Sequence, residues 1–257
     1  MDREFPDHFA PVARHYAEFR PTYPDALFAW LATCAPRREL AWDCAAGTGQ
    51  ASLGLARHFA QVVATDASAA QIAVATPHPR VDYRVAPAEA SGLAAASVDL
   101  ITVAQALHWF DLAAFYTEAS RVLRANGVLA VWTYGVLTVE GARVDELVQA
   151  FYHQTVGPYW PAERRHVEDG YRSLPFPFPE VAAPPFVMEA QWTGPQLLGY
   201  FRSWSATARF VSVNGFDPVE QLAQRLAPLW GDPQGTRLIR WPLALRVGLR
   251  PAAGAAR

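Results

Sequence analysis

The sequence contains no lysine, so every one of its basic residues is an arginine. A P-loop needs a lysine on the terminal phosphates and Schiff-base chemistry needs a lysine amine, so both are excluded. Cysteine is nearly absent as well. Cys34 and Cys44 are the two present; they form no Cys-x-x-Cys pair and read as free thiols, neither a disulfide framework nor a redox centre. No apolar run reaches the roughly 18 residues of a membrane helix. The opening Met1-Asp2-Arg3-Glu4-Phe5-Pro6 carries charge where a signal peptide needs an apolar core. A cytoplasmic protein with no membrane partner is the expectation. Charge is scarce too: 18% of residues are charged and the formal net charge is -2. That gives no broad field for a phosphate backbone, so nucleic acid is not an expected partner. His8, His15, His58, His78 and His153 fall at no metal-ligand spacing, and no Gly-x-Ser-x-Gly occurs. Neither a metal nor serine-hydrolase chemistry is expected.

What the chain has is apolar content, 51% over 257 residues, enough for one sizeable core. Short apolar runs at Leu40–Cys44, Val62–Ala64, Val81–Val85, Val98–Val103 and Val128–Trp132 predict strands. Helical patterns sit between them: one capped by Asp25, one over Gln50–Phe59, one around Ala69–Ala75, and one capped by Asp111 and closed by Asn126-Gly127. Strands alternating with helices at this spacing imply a parallel, doubly wound α/β sheet. Beyond Tyr134 the pattern predicts a helix over 140–156. Next comes an aromatic- and proline-rich stretch to 186 that runs extended over the surface, because five prolines between Pro175 and Pro185 forbid a central strand or helix. A strand near Phe186–Trp192, helices near 195–206 and 217–229, and an antiparallel strand over Leu238–Leu249 complete the reading. The expected organisation is a binding core with an N-terminal lid segment over 1–135 and a small cap over 136–185. Strands and helices over 186–250 complete the same domain, and 251–257 form a frayed tail.

The chief chemical signal is Asp43-Cys44-Ala45-Ala46-Gly47-Thr48-Gly49-Gln50, at a strand-to-helix junction. Glycine lets the backbone turn tightly against a ligand, and the helix behind it offers free N–H groups. Asp66 follows at the end of the next strand, where a carboxylate accepts hydrogen bonds from both hydroxyls of a ribose. A dinucleotide fingerprint wants a third glycine three residues after Gly49, and that residue is Ser52. An acid at Asp43 also sits badly beside a pyrophosphate, yet it suits an amino-acid ammonium. Ribose at one end and a zwitterionic amino acid at the other describe S-adenosylmethionine. A nicotinamide-dependent oxidoreductase and a non-catalytic binding module of the same fold are the alternatives.

Asp43-x-x-x-Gly47-x-Gly49, Asp66, Ala88-Glu89 and Asp99-Leu100-Ile101 resemble the motif series of the class I S-adenosylmethionine-dependent methyltransferases, type 11-like. Tyr16–Pro24, Ala104–Asp111, Tyr159-Trp160-Pro161 and Phe176-Pro177-Phe178 are similar to the branch that contains trans-aconitate methyltransferase. The resemblance implies a Rossmann-like, mostly parallel sheet with an antiparallel C-terminal strand and a small cap insertion. It implies S-adenosyl-L-methionine as cofactor. Gly47 and Gly49 would lie beside the methionine part, Asp66 on the ribose, Ala67 against the adenine, with Ala88 and Glu89 at its rim, and Ala45 and Gln50 would belong to the same cofactor site. Gln105 would approach the methionine end, and Tyr16 and Arg20 would close over the cofactor. Two departures stand out: the family usually has glycine where Ala45 stands, and a polar residue where Pro87 stands.

Methyl transfer needs in-line approach and exclusion of water, and positioning can supply about 7–11 kcal/mol of barrier lowering, so a base is optional. A carboxylate acceptor is already deprotonated near neutral pH. His108 is the candidate catalytic residue, at the carboxyl edge of the fourth strand; a packing role for His108-Trp109-Phe110 is the competing reading. Tyr23, Trp109, Tyr134, Trp160 and Arg164 are the candidate substrate residues, Arg164 because a guanidinium can clamp a carboxylate. The expected partner is a small-molecule acceptor, with a carboxylic acid methylated on oxygen as the candidate, and the expected assembly a monomer or weak homodimer.

Overall fold

A computed structural model describes residues 21–252. They form two compact units. The sheet unit comprises Tyr23–Tyr134, His166–Phe186 and the chain from Leu243; the helical unit comprises Gly135–Arg165 and Val187–Pro242. The expected cap, 136–185, is thus divided: its first part lies in the helical unit, and the segment from His166 belongs with the sheet.

In the sheet unit, β1 (Leu40–Cys44), β2 (Gln61–Asp66), β3 (Val81–Val85), β4 (Val98–Ala104) and β5 (Leu123–Tyr134) run parallel in the order β3-β2-β1-β4-β5. The second half of β9 (Thr236–Leu249) pairs antiparallel with β5, from Val128↔Leu249 to Tyr134↔Leu243. The mostly parallel sheet with an antiparallel C-terminal strand is therefore as expected. β1 and β4 are buried almost throughout, whereas edge strand β3 is half-buried or exposed, which is why the central strands are mostly apolar, with Asp43, Asp99 and Thr102 as their buried polar exceptions. Alternate residues feed two cores. Trp42, Val63, Ile101, Val103, Leu129 and Val131 meet α4 (Leu112–Val122). On the opposite face Ala41, Val62, Leu100, Val128 and Trp132 meet α1 (Asp25–Cys34) and α2 (Gln50–Leu55). The strand order reverses between β1 and β4, and their carboxyl ends are where an open α/β sheet binds ligands.

Several local expectations need correction. Asp25 is the first helical residue of α1, preceded by Pro24 in extended conformation, and its carboxylate binds Arg57 and His58 instead of capping. Asn126 is left-handed (φ 61°) but lies inside β5, where its N–H donates to the Arg250 carbonyl; α4 has already ended at Val122. The helices behind β1 and β2 are shorter than predicted, α2 stopping at Leu55 and α3 (Ala69–Ala73) at Ala73. The proline-rich stretch is anchored, not simply laid over the surface. Phe178 is buried, Phe176 packs against the same core, and β7 (Glu180–Val181) pairs with β9. Asp111 does cap α4, accepting from the Ala114 N–H.

On α4, Glu118 is buried and accepts hydrogen bonds from the Ser91 N–H and hydroxyl and from the Arg121 guanidinium. Arg121 holds the Glu118 carboxyl down at about 2, with Ser91 adding to the effect. A carboxylate whose folded-state pKa is depressed stabilises above its unfolded value, and that contribution is lost as pH falls from about 4.5 to about 2. Arg121 is partly exposed, so screening leaves about 2 kcal/mol of the contribution. Glu118→Gln is expected to lower unfolding stability by that amount at pH 7 and to lose the difference near pH 2, read from urea midpoints at both values.

In the helical unit the first half of β9 pairs antiparallel with β6 (Thr138–Val139) and β8 (Val187–Thr193). Around it stand α5 (Ala142–Ala150) continuing into a π-turn over Phe151–Thr155, α7 (Gly194–Arg202), α8 (Ser205–Asn214) and α9 (Pro218–Trp230), with a short α6 (Arg164–Glu168) starting here. No helix among the described residues is long and apolar enough to cross a membrane.

Candidate active site

The turn after β1 is built on alternating left-handed residues: Ala45 (φ 55°), Gly47 (φ 57°) and Gly49 (φ 88°). Gly49 suits its left-handed backbone, and a Cβ there would also overlap the Tyr83 phenol, which would have to move. Gly47 has the opposite surroundings: a Cβ would find only Gln71 Oε1, at 3.9 Å. At Ala45 a methyl group occupies a backbone conformation that costs about 1–2 kcal/mol relative to glycine. The Ala46 N–H donates to the Thr65 carbonyl at 2.9 Å, tying the turn to the end of β2.

Asp66 completes this arrangement. Its Oδ2 accepts from the Gly47 N–H at 2.8 Å and its Oδ1 from the Ser68 N–H at 2.8 Å. Each carboxylate oxygen keeps a second lone pair, and Asp66 is half-buried with exposed Ala67 beside it. Asp43 is placed differently. It is 1% exposed, with Oδ2 accepting from the Ser52 hydroxyl at 2.6 Å and Oδ1 from the Thr102 hydroxyl at 2.9 Å. Ser52, which stands where a dinucleotide fingerprint would have glycine, is thus the residue that holds Asp43. Burial pushes the Asp43 carboxyl up to about 6, against the two hydroxyls, and the Asp66 charge adds to the rise.

At the end of β4, Gln105 is left-handed (φ 60°). Its Oε1 accepts from the Thr133 hydroxyl at 3.0 Å and its Nε2 approaches the Tyr134 carbonyl at 3.4 Å, so the ends of β4 and β5 are stitched together. His108 follows in a single 3-10 turn, Leu107–Trp109. Its Nδ1 lies 3.0 Å from the Tyr171 hydroxyl, and Trp109 beside it is 41% exposed. Glu89 Oε1 accepts from the Asp111 N–H at 3.0 Å, and Ala88 is buried. Gln50 opens α2. Tyr23 packs edge-on to Trp132 and Phe28 in the core. Thus Asp43, Ala45, Gly47, Gly49, Gln50, Asp66, Ala67, Ala88, Glu89, Gln105 and His108 all belong to the sheet unit, with Tyr23, Trp109 and Tyr134. Trp160 and Arg164 belong to the helical unit, where Arg164 stacks 4.5 Å over the Trp160 ring and donates to Tyr152 at 2.9 Å. Tyr16 and Arg20 lie outside the described residues. Sequence reasoning missed Ser52, Thr102 and Tyr171. Thr102 carried a usable signal, a hydroxyl within the apolar run Leu100–Ala104 at the position paired with Asp43.

The open space at Gly47 beside a ribose-competent carboxylate fits a nucleoside carrying an amino-acid arm, and the buried hydroxyl of Ser52 leaves no close helix–strand glycine for a pyrophosphate. A family model described as a methyltransferase domain matches residues 42–131. A Dictyostelium discoideum protein named as a methyltransferase is 35% identical over 235 residues, covering 90% of this chain and 89% of its own. The chain belongs to the class I S-adenosylmethionine-dependent methyltransferases. A solved structure described as a type II methyltransferase of Anaeromyxobacter dehalogenans is similar with a TM-score of 0.87 and 49% identity, over 91% of this chain and 99% of that one. Methyltransferase cfoB of Aspergillus candidus is 25% identical over 267 residues, 93% of this chain and 82% of that relative. As a methyltransferase of this family, the protein uses S-adenosylmethionine as its cofactor, and the nicotinamide reading is not favoured.

Proposed function

We propose that the protein transfers the methyl group of S-adenosylmethionine to a carboxylate oxygen of a small organic acid, as the similarity to the trans-aconitate methyltransferase branch implies. When bound, the cofactor supplies a methyl group on a positively charged sulfur. Asp66 is assigned the ribose hydroxyls; Gly47, Gly49 and the start of α2 the methionine arm; Ala67, Ala88 and Glu89 the adenine surroundings; Gln105 the methionine end.

The observation that carries the acid is in the helical unit. The Trp160 indole N–H is buried without a hydrogen-bond acceptor, and the Arg164 guanidinium is stacked over that same ring, fixed by the Tyr152 hydroxyl. A guanidinium held in this way is suited to a carboxylate, which it meets with two parallel hydrogen bonds. An acceptor carboxylate needs no proton removed, so the chain's task is to orient it and exclude water.

Incubating cell extract and enzyme with isotope-labelled cofactor, followed by mass spectrometry, tests this: label is expected in a methyl ester that base hydrolyses. Label confined to nitrogen- or carbon-bound methyl groups would overturn it. Arg164→Ala is expected to raise KM for the acid about 10- to 100-fold, the loss of a charged hydrogen bond, with the cofactor Kd unchanged within about twofold.

A further inference from the structure

Tyr171 sits in a part of the sheet unit that no motif marks. It is fully buried, yet its backbone is left-handed (φ 63°), directly after left-handed Gly170 (φ 67°). A bulky aromatic residue in that conformation is a true outlier, and such strain persists where surrounding bonds over-determine it, often at functional sites. Those bonds are present. The Tyr171 N–H donates to the His166 carbonyl at 2.7 Å, and its own carbonyl accepts from Arg246 Nη1 at 2.7 Å and from the Leu174 N–H at 3.1 Å. Arg246 is itself fixed by the Glu180 carboxylate and stacks on the Phe176 ring. The strained backbone delivers the Tyr171 hydroxyl to Nδ1 of His108, 3.0 Å away, with the two rings 5.8 Å apart.

Which group donates follows from acid–base chemistry. A phenol is a far stronger acid than the N–H of neutral imidazole, and an imidazole nitrogen is a far better acceptor than a phenol oxygen. The bond therefore runs from the Tyr171 O–H to Nδ1, and the bond made by one ring nitrogen sets the protonation of the other. We infer that Tyr171 is a positioning residue that holds His108 with its proton on Nε2, which makes His108 a hydrogen-bond donor in the reaction and not a proton-abstracting base. This rests on the proposed carboxylate acceptor, for which a donor is useful and a base has nothing to remove.

Full-length protein labelled with 15N-histidine reports the tautomer directly at pH 8, with S-adenosylhomocysteine present and His108 assigned by loss of its signals in His108→Gln. Wild type is expected to show an unprotonated, hydrogen-bonded Nδ1 and a protonated Nε2. Tyr171→Phe is expected to move the Nδ1 signal to that of an unbonded imidazole nitrogen, with the cofactor Kd unchanged within about twofold by calorimetry. A protonated Nδ1 in wild type would overturn the inference, as would a His108 spectrum identical in the two proteins. A merely structural tyrosine would lower Tm in the phenylalanine variant and leave the tautomer alone. The ester test above can fail without touching the tautomer, and the tautomer can be wrong while esters form, so the two readings fall separately.

Discussion

Asp66→Ala is expected to weaken S-adenosylmethionine binding by about 1–3 kcal/mol, the loss of a charged hydrogen-bonding partner. Isothermal titration would read this as a roughly 5- to 150-fold rise in Kd. Two losses combine. On the proposed ribose assignment the hydroxyls lose their charged acceptor, and the Gly47 N–H loses the oxygen that now holds it at 2.8 Å. Asp66→Asn separates them, because the amide oxygen can still accept from one backbone N–H while the charge is gone. Its Kd is expected between those of wild type and Asp66→Ala. An unchanged Kd in the alanine variant, with Tm preserved, would take Asp66 out of the cofactor site and with it the ribose assignment.

How much of this could be read beforehand depends on whether a feature is local. β3 is found at Val81–Val85 as predicted, and β4 extends the predicted run by one residue, to Ala104. The central strand β4 is covered on both faces and is therefore apolar at most positions, whereas edge strand β3, VDYRV, is legible from its β-branched and aromatic residues between turn signals. The glycine turn is equally local. α8 was missed because SATARFVSVN is rich in β-branched residues and buries only Ala206, Thr207 and Phe210, leaving a weak helical signal. Ser52 was noticed only as an absent glycine. Its purpose emerges once β1 and α2 are packed and its hydroxyl meets a buried carboxylate. Tyr171 had no signal in the sequence, since its conformation depends on Arg246, 75 residues further along the chain, and its hydroxyl partner lies 63 residues back. Side chains that act through long-range contacts leave no periodicity to read.

The buried charge of Asp43 has a consequence for both stability and binding. Its folded-state pKa lies near 6 instead of 3.8, so the folded chain holds that proton more tightly than the unfolded chain does. Stability from this group is therefore highest at low pH and falls as pH rises from about 4 to about 6, by about 3 kcal/mol at full ionisation. That runs opposite to Glu118, whose contribution disappears at the acid end. Asp43→Asn keeps an oxygen and an amide to engage the Ser52 and Thr102 hydroxyls, which tie β1 to α2 and β4, and removes the charge. The variant is expected to unfold at higher urea concentration than wild type at pH 8, with little change in midpoint between pH 4 and pH 6 on this account. If Asp43 orients the cofactor's ammonium, the variant's affinity for S-adenosylmethionine is expected to fall, because that positive charge loses its carboxylate. A variant that is more stable and binds less tightly would mean that the protein retains Asp43 for its ligand at the expense of its fold. An Asp43→Asn protein less stable than wild type at pH 8 would instead make the carboxylate a structural staple, and the ammonium assignment would go with it.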